Sequence, residues 1–357
     1  MDLSQFESRK RSHIRHALDP IHQATGLSGL ERIHLFHSAL PELDFADVSI
    51  ASSWNHKPLR TPFYIAGMTA GHADAPVINR SLAIACSERG WAMGVGSQRR
   101  ELETGGDFVD TWDKLRSEAP LLVLFANLGM SQVISTPLEK IQILLEVLRA
   151  DALVIHANAL QECLQPEGTP QFKGALEKLS LLTQQVKLPV VLKETGCGFS
   201  PATLKLLSPL GLAAIDVSGL GGTHWGRIEG ARAAEVQSPI LAQAAQTFSN
   251  WGEPTVECVL SAKQALVAHH FGGAAPTEIW ASGGVRSGLD AAKLFALGAH
   301  RVGYAKPALE AALQGHAQLL LWMETQEYEL KMALFCTGCR TTEILRQKEG
   351  VWRRNEI

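Results

Sequence analysis

Short runs of apolar and β-branched residues recur along the chain, each ending in a polar or glycine-rich patch. They predict eight strands: Pro62–Ala66, Trp91–Val95, Leu121–Ala126, Ala152–His156, Pro189–Lys193, Ala213–Val217, Glu278–Ser282 and Arg301–Ala305. Helical stripes separate most of them. After the first strand, Ile78, Leu82, Ala85 and Cys86 share one face of a helix that Asp74 can cap and Gly90 can end. After the third, Leu138, Ile141, Leu145 and Leu148 repeat at helical spacing behind Thr136-Pro137, and Ser200-Pro201 repeats that start signal after the fifth. Alternation of buried strand and amphipathic helix means parallel pairing, because parallel neighbours need a crossover long enough to hold a helix. Eight such units close into an α/β fold, a (β/α)₈ TIM barrel.

A chain of 357 residues suits one such domain: a barrel over 62–306, an N-terminal arm over 1–60 with the basic start Arg9-Lys10-Arg11, and two amphipathic helices over 307–357. The interval Ser218–Thr277, between strands six and seven, is the long exception. It carries a glycine-rich loop, Trp225 and Trp251, and a helix-like stretch Pro254–Phe271. A structureless loop of that length is unfavourable in a compact domain, so an insertion with an added helical turn is expected to cover the barrel mouth.

Composition narrows the function classes. With 46% hydrophobic and 19% charged residues the chain can bury a large core without disulfides or structural metal, and a net charge of −3 offers no field to draw nucleic acid or an anionic membrane. No apolar run is long enough to span a bilayer and no apolar signal core opens the chain, so a cytoplasmic protein is expected. The six cysteines are scattered, which suits reduced thiols. Cys336 and Cys339 form a single CxxC with no second pair to complete a zinc site.

In a barrel of this kind the residues that end the strands face one pocket, however far apart they lie in the chain. Ser282-Gly283-Gly284, followed by Arg286 and a helix start at Ser287-Gly288, has the form of a phosphate cradle: glycines let backbone amides approach an anion, and the helix terminus adds positive charge. Lys193 ends an otherwise apolar strand, so its ammonium needs an anionic partner. A reduced flavin, Glu194, or a carbonyl ligand captured as a Schiff base could serve, the last without other support in the chain. His156, Asn158, Gln161 and Glu162 form the densest polar cluster, and Glu162 is a candidate Mg²⁺ ligand, since that hard cation takes one or two carboxylates and completes its shell with water and phosphate.

Taken in order, these segments resemble the type 2 isopentenyl-diphosphate isomerase family. The resemblance runs nearly end to end. It covers Arg9-Lys10, His13-Ile14, Met68-Thr69-Ala70-Gly71, Gly94 to Arg99, Asn127-Leu128-Gly129, His156 to Glu162, Lys193 to Gly196, Ile215 to Gly219, Gly221-Gly222-Thr223 and Ser282 to Arg286. It implies FMN held by Met68, Thr69, Ala70, Ser97, Asn127, Lys193, Ser218, Thr223, Gly283, Gly284 and Arg286, with Ala305 near the phosphate. It implies a small prenyl diphosphate met by Arg99, His156, Asn158 and Gln161, with Gln161 and His156 as the catalytic pair and Mg²⁺ on Glu162. Reduced FMN, generated by NADPH, would serve as the acid–base in moving the double bond, with no net redox change. It also implies that Arg9, Lys10 and His13 come from a neighbouring subunit, making a homo-oligomer functional.

Two departures stand out: Ala70 replaces the first of two glycines usual in the family, and His224, expected to border the pocket, replaces a small residue. The competing reading is an FMN oxidoreductase of the 2-hydroxy-acid oxidase type, whose Ser-Asn-His-Gly run supplies a histidine base. Here the run is Ser218-Gly219-Leu220-Gly221, so His224 would have to substitute. A flavin-binding sensor without catalysis is a further class.

Overall fold

The computed structural model describes residues 12–68, 75–104, 108–267 and 276–355. Its centre is a closed barrel of eight strands. They are β1 (Phe63–Ile65), β2 (Ala92–Gly94), β3 (Leu124–Gly129), β4 (Ala152–His156), β5 (Val190–Lys193), β6 (Ala214–Asp216), β7 (Glu278–Ala281) and β8 (Arg301–Tyr304). All neighbours run parallel, and β8 closes onto β1 with Val302 opposite Phe63 and Tyr304 opposite Ile65. Seven of the strands fall within predicted runs; β3 overlaps Leu121–Ala126 but starts three residues later and continues to Gly129. Both faces of these strands are buried, which explains why the runs read as continuously apolar rather than alternating. Phe63, Ile65, Leu124, Leu153 and Leu192 face the helices; Tyr64, Phe125, Val154, Val191 and Trp280 fill the barrel lumen.

The crossover helices follow the start and stop signals. The helix Ala75–Arg89 ends at Gly90, whose φ is +71°. Ser200 caps Pro201–Leu207 by accepting from the Thr203 amide at 3.2 Å. The N-terminal end of the barrel is sealed by a hairpin, Ser52–Trp54 against Lys57–Leu59. It sets Trp54 edge-on to Phe125 and Trp280, with ring centroids 5.9 and 4.9 Å away. The Arg301 guanidinium covers both indoles at 5.3 and 5.8 Å and pairs with Glu278 at 3.0 Å.

Three regions differ from expectation. Residues 12–60 wrap the barrel instead of standing off it: Ile33–Leu35 pairs antiparallel with Trp352–Arg354, and Gln23 bridges to Thr223. Three-residue strands are too short to carry a period. Among the described residues the insertion after β6 holds three helices, Trp225–Glu235, Pro239–Thr247 and Thr255–Val267, where one helix and a turn were expected. Beyond β8 there are also three, Lys306–Leu313, His316–Cys336 and Thr342–Gln347, the first being the barrel's own eighth helix. No helix of the described residues is long and apolar enough to cross a membrane, and all six cysteines are free.

Candidate active site

The C-terminal ends of the strands open on two joined cavities. The larger, of about 440 Å³, is walled by Ser218, Gly222, Thr223, Ser282, Gly283, Gly284, Arg286 and Ala305. The smaller, of about 100 Å³, is walled by Ser97, Arg99, Asn127, His156, Asn158, Gln161 and Glu162. His13, Gly67, Met68, Lys193, Thr195 and Trp225 line both and mark where they meet. Every residue predicted to bind or catalyse, among the described positions and apart from His224, therefore faces one mouth. Arg9, Lys10, Thr69 and Ala70 lie outside the described residues.

Glycine builds the wall of the larger cavity. Gly283 and Gly284 have φ of +101° and +79°, and a Cβ on them would sit 2.1 Å from the Gly219 oxygen and 2.7 Å from Gly221 backbone. The loops after β6 and β7 thus touch backbone to backbone, leaving main-chain amides rather than side chains at the surface. Arg286 laces them together, donating to the Gly284 oxygen at 3.0 Å and, through Nη2, to the Gly221 oxygen and Thr25 Oγ1, both at 3.2 Å. The helix Gly288–Leu297, capped by Ser287, starts beside them. A cavity of this size, with glycine-exposed amides, a helix N-terminus and an arginine at one end, fits a phosphate-bearing cofactor such as FMN.

Lys193 lies at the junction, 9% exposed, with Nζ donating to the Glu194 carbonyl at 3.0 Å. Burial draws its pKa down, opposed by Asp216 and then Glu194. The Glu194 carboxylate turns the other way. It accepts from the amides of Thr195 (2.6 Å), Gly196 (2.7 Å), Cys197 and Gly198 (3.0 Å), while burial pushes its pKa up to about 7 against those amides.

In the smaller cavity, His156 Nδ1 lies 2.8 Å from Asn127 Oδ1. Asn127 spends its amide hydrogens on the Val95 carbonyl at 3.0 Å, so its oxygen faces the ring and His156 carries a proton on Nδ1. Gln98 supports this pair, its Oε1 accepting from the Asn127 main-chain N–H at 3.1 Å and its Nε2 donating to Glu101 at 2.7 Å. Asn158 Nδ2 donates to Gln161 Oε1 and Glu162 Oε1, each at 3.1 Å, and Glu162 Oε2 accepts from the Thr169 amide at 2.6 Å. Asn158 Oδ1 is buried without a hydrogen-bond partner among the described residues. That orphaned oxygen beside a carboxylate suits a hard cation. No group of three His, Cys, Asp or Glu is gathered among the described residues, so such an ion would draw its other ligands from water and a phosphorylated ligand.

Glu229 is a functional candidate that sequence reasoning missed. It is fully buried, accepts from Gln161 Nε2 at 3.0 Å, and pairs with His13 at 2.9 Å and with Arg232. Burial works against its charge, but His13 and Arg232 hold its pKa down to about 2. The available signal was spacing: Trp225, Glu229 and Arg232 recur at helical intervals within the insertion, giving it one polar face toward the mouth. His13, expected to reach a neighbouring subunit, lies over the mouth of its own barrel.

His224 is a correction. It lines neither cavity; it is wholly buried as the cap of Trp225–Glu235, with Nδ1 accepting from the Arg227 amide at 3.2 Å and Nε2 3.0 Å from the Trp251 carbonyl. Burial lowers its pKa, so the ring is neutral. It cannot stand in for a base in the pocket. His224→Ala is expected to lower stability by about 1–3 kcal/mol, measured by denaturant unfolding, and to leave FMN affinity unchanged.

An eight-stranded barrel with a glycine phosphate cradle defines a class of phosphate-binding barrels, and residues 140–352 match the family described as FMN-dependent dehydrogenase. Solved structures with this fold include a mutant flavocytochrome b2 with benzoylformate, at a TM-score of 0.70 and 16% identity over 98% of this chain and 86% of that one. A mandelate oxidase mutant with a monooxide FMN adduct has a TM-score of 0.65 at 17% identity, covering 99% of this chain and 100% of the other. At that identity the likeness carries the fold alone. Sequence relatives are far nearer. The chain is 52% identical to an isopentenyl-diphosphate delta-isomerase of Legionella pneumophila over 97% of its length and 98% of the relative's. It is 48% identical to one from Bdellovibrio bacteriovorus over 98% of each chain, and 38% identical to one from Nostoc over 99% and 97%. The chain belongs to the isopentenyl-diphosphate delta-isomerase family.

Proposed function

We propose that the protein interconverts isopentenyl and dimethylallyl diphosphate, with FMN in the larger cavity, the diphosphate in the smaller one, Mg²⁺ at Glu162 and NADPH as the reductant of the flavin. The observation that carries this reading is the junction: Lys193, Met68 and Trp225 line both cavities, so a ligand in one meets a ligand in the other there. Bound and reduced, FMN would supply a proton donor and acceptor for the double-bond shift.

The rest is the chain's own work. The amides of Gly283 and Gly284 and the start of Gly288–Leu297 hold the cofactor phosphate, with Arg286 fixing the loops that present them. Arg99 and His156 hold the diphosphate; Glu162 and Asn158 Oδ1 hold Mg²⁺ against it. Gln161, tied between Asn158 and Glu229, is placed to orient the substrate. Met68 and Trp225 give the alkene an apolar wall and keep water from the reacting carbons. Lys193 offsets negative charge on the ring. Arg9 and Lys10 would complete a neighbouring site in a homo-oligomer, and six free thiols suit a reducing cytoplasm. The 2-hydroxy-acid oxidase reading lacks its base, since His224 is buried away from the pocket.

An anaerobic assay of the purified protein with FMN, NADPH and Mg²⁺ should convert one diphosphate isomer to the other. Glu162→Gln should raise the Mg²⁺ concentration for half-maximal activity by about 10- to 100-fold. A colourless protein that gains no isomerase activity under these conditions would sink the proposal.

A further inference from the structure

A lysine ammonium with this little contact to water needs a nearby negative charge. Its neighbour in sequence does not provide one directly, because the Glu194 carboxylate is turned onto four main-chain amides and Lys193 reaches only the Glu194 carbonyl. The register of the barrel points to another group. Lys193 on β5 is paired with Asp216 on β6, and residues paired across adjacent parallel strands project to the same side. Both line one small interior cavity just beneath the mouth, with Tyr64 across the lumen.

Asp216 is 1% exposed and firmly held. Its Oδ2 accepts from the Tyr64 hydroxyl at 2.6 Å; its Oδ1 accepts from Ser282 Oγ at 2.8 Å and from the Ser218 amide at 3.2 Å. All three partners are uncharged donors. They fix both carboxyl oxygens in place and bring no charge of their own. Tyr64 is no competitor for the negative charge, since burial and then Asp216 push its phenol well above the ordinary range. We propose that Asp216, clamped by Tyr64 and Ser282 on the floor of the site, is the fixed counter-charge of Lys193, a positioning residue that keeps the ammonium protonated where the flavin ring lies.

Other ionisable groups share the cavities with Lys193: Arg99 and Glu162 in the smaller, Arg286, Lys306 and Glu310 in the larger, and His13 in both. His156, its register partner on β4, is engaged through Nδ1 with Asn127. Glu194 lies on the same strand and is bound to amides. Arg301 enters from the sealed end of the barrel, where it pairs with Glu278 and acts on Tyr64. Of the charges acting on Lys193, Asp216 is the larger and Glu194 the smaller, both opposing the effect of burial.

The inference rests on the proposed placement of the flavin at Lys193, and one experiment separates the two. The midpoint potential of FMN is measured spectroelectrochemically across about pH 6 to 10 in the FMN-loaded wild type, Lys193→Met and Asp216→Asn. The wild type should show a break in potential against pH where Lys193 loses its proton. Lys193→Met should lack it. Asp216→Asn should keep it but move it down by about one pH unit or more, a tenfold or greater loss of proton affinity. Asp216→Ser, neutral and smaller, should give the same shift and serves if asparagine disturbs folding. A break that persists in Lys193→Met would put the ring elsewhere and remove the reading beneath the inference. A break lost in Lys193→Met but unmoved, or moved upward, in both Asp216 variants would overturn the counter-charge assignment alone.

Discussion

Lys193→Ala is expected to lower isomerase turnover by about 10²- to 10³-fold and to weaken FMN binding, because it deletes the cation at the junction of the two cavities. The side chain lines both cavities and the small void below them, so no neighbour can take its place without moving a strand. Truncation also strands the buried Asp216 carboxylate without its counter-charge. Arginine is not a conservative replacement here, since its planar fork does not fit a site shaped for a compact ammonium. Fluorescence titration of FMN and single-turnover kinetics under nitrogen measure the two effects. Unchanged flavin affinity together with unchanged turnover would remove Lys193 from the proposed mechanism.

Gly283→Ala should abolish tight FMN binding and also destabilise the fold, a second large effect from a single methyl group. The residue has φ of +101°, and its Cβ would lie 2.1 Å from the Gly219 oxygen and 2.7 Å from the Gly219 nitrogen. Relieving that clash means parting the loops after β6 and β7, which form the cradle. The backbone strain alone is worth about 1–3 kcal/mol, and the displaced amides no longer converge on a phosphate. Equilibrium dialysis of FMN and thermal unfolding of the apoprotein report the two losses separately. Wild-type affinity in a folded Gly283→Ala would show that the phosphate lies elsewhere.

The barrel and its site were legible in the sequence to different degrees, for physical reasons. A parallel strand buried on both faces must be apolar until it reaches the mouth, and there it must turn polar. Lys193 at the end of Val190–Lys193 and His156 at the end of Ala152–His156 are visible as that change, so the tips could be gathered into one pocket without a structure. Glu229 was hidden because it comes from a helix in the insertion rather than from a strand end. Asp216 is at a strand tip, but nothing in the local sequence tells that Tyr64, 152 positions away, donates to it. His224 was misread because a polar residue after Gly-Gly-Thr looks like pocket lining, whereas its ring folds back as a helix cap. The N-terminal segment was read as a loose arm because three-residue strands leave no period to detect.

The sealed lower end of the barrel has a consequence for traffic. With Trp54 and Arg301 closing the base, and a void of about 10 Å³ beneath Lys193 that holds no more than about one water molecule, the described residues form a cup closed below and open at the strand tips. Whatever lies deepest must arrive first and depart last. A ring seated against Lys193 would be trapped by any ligand above it, so loss of cofactor should slow as the small diphosphate saturates the protein.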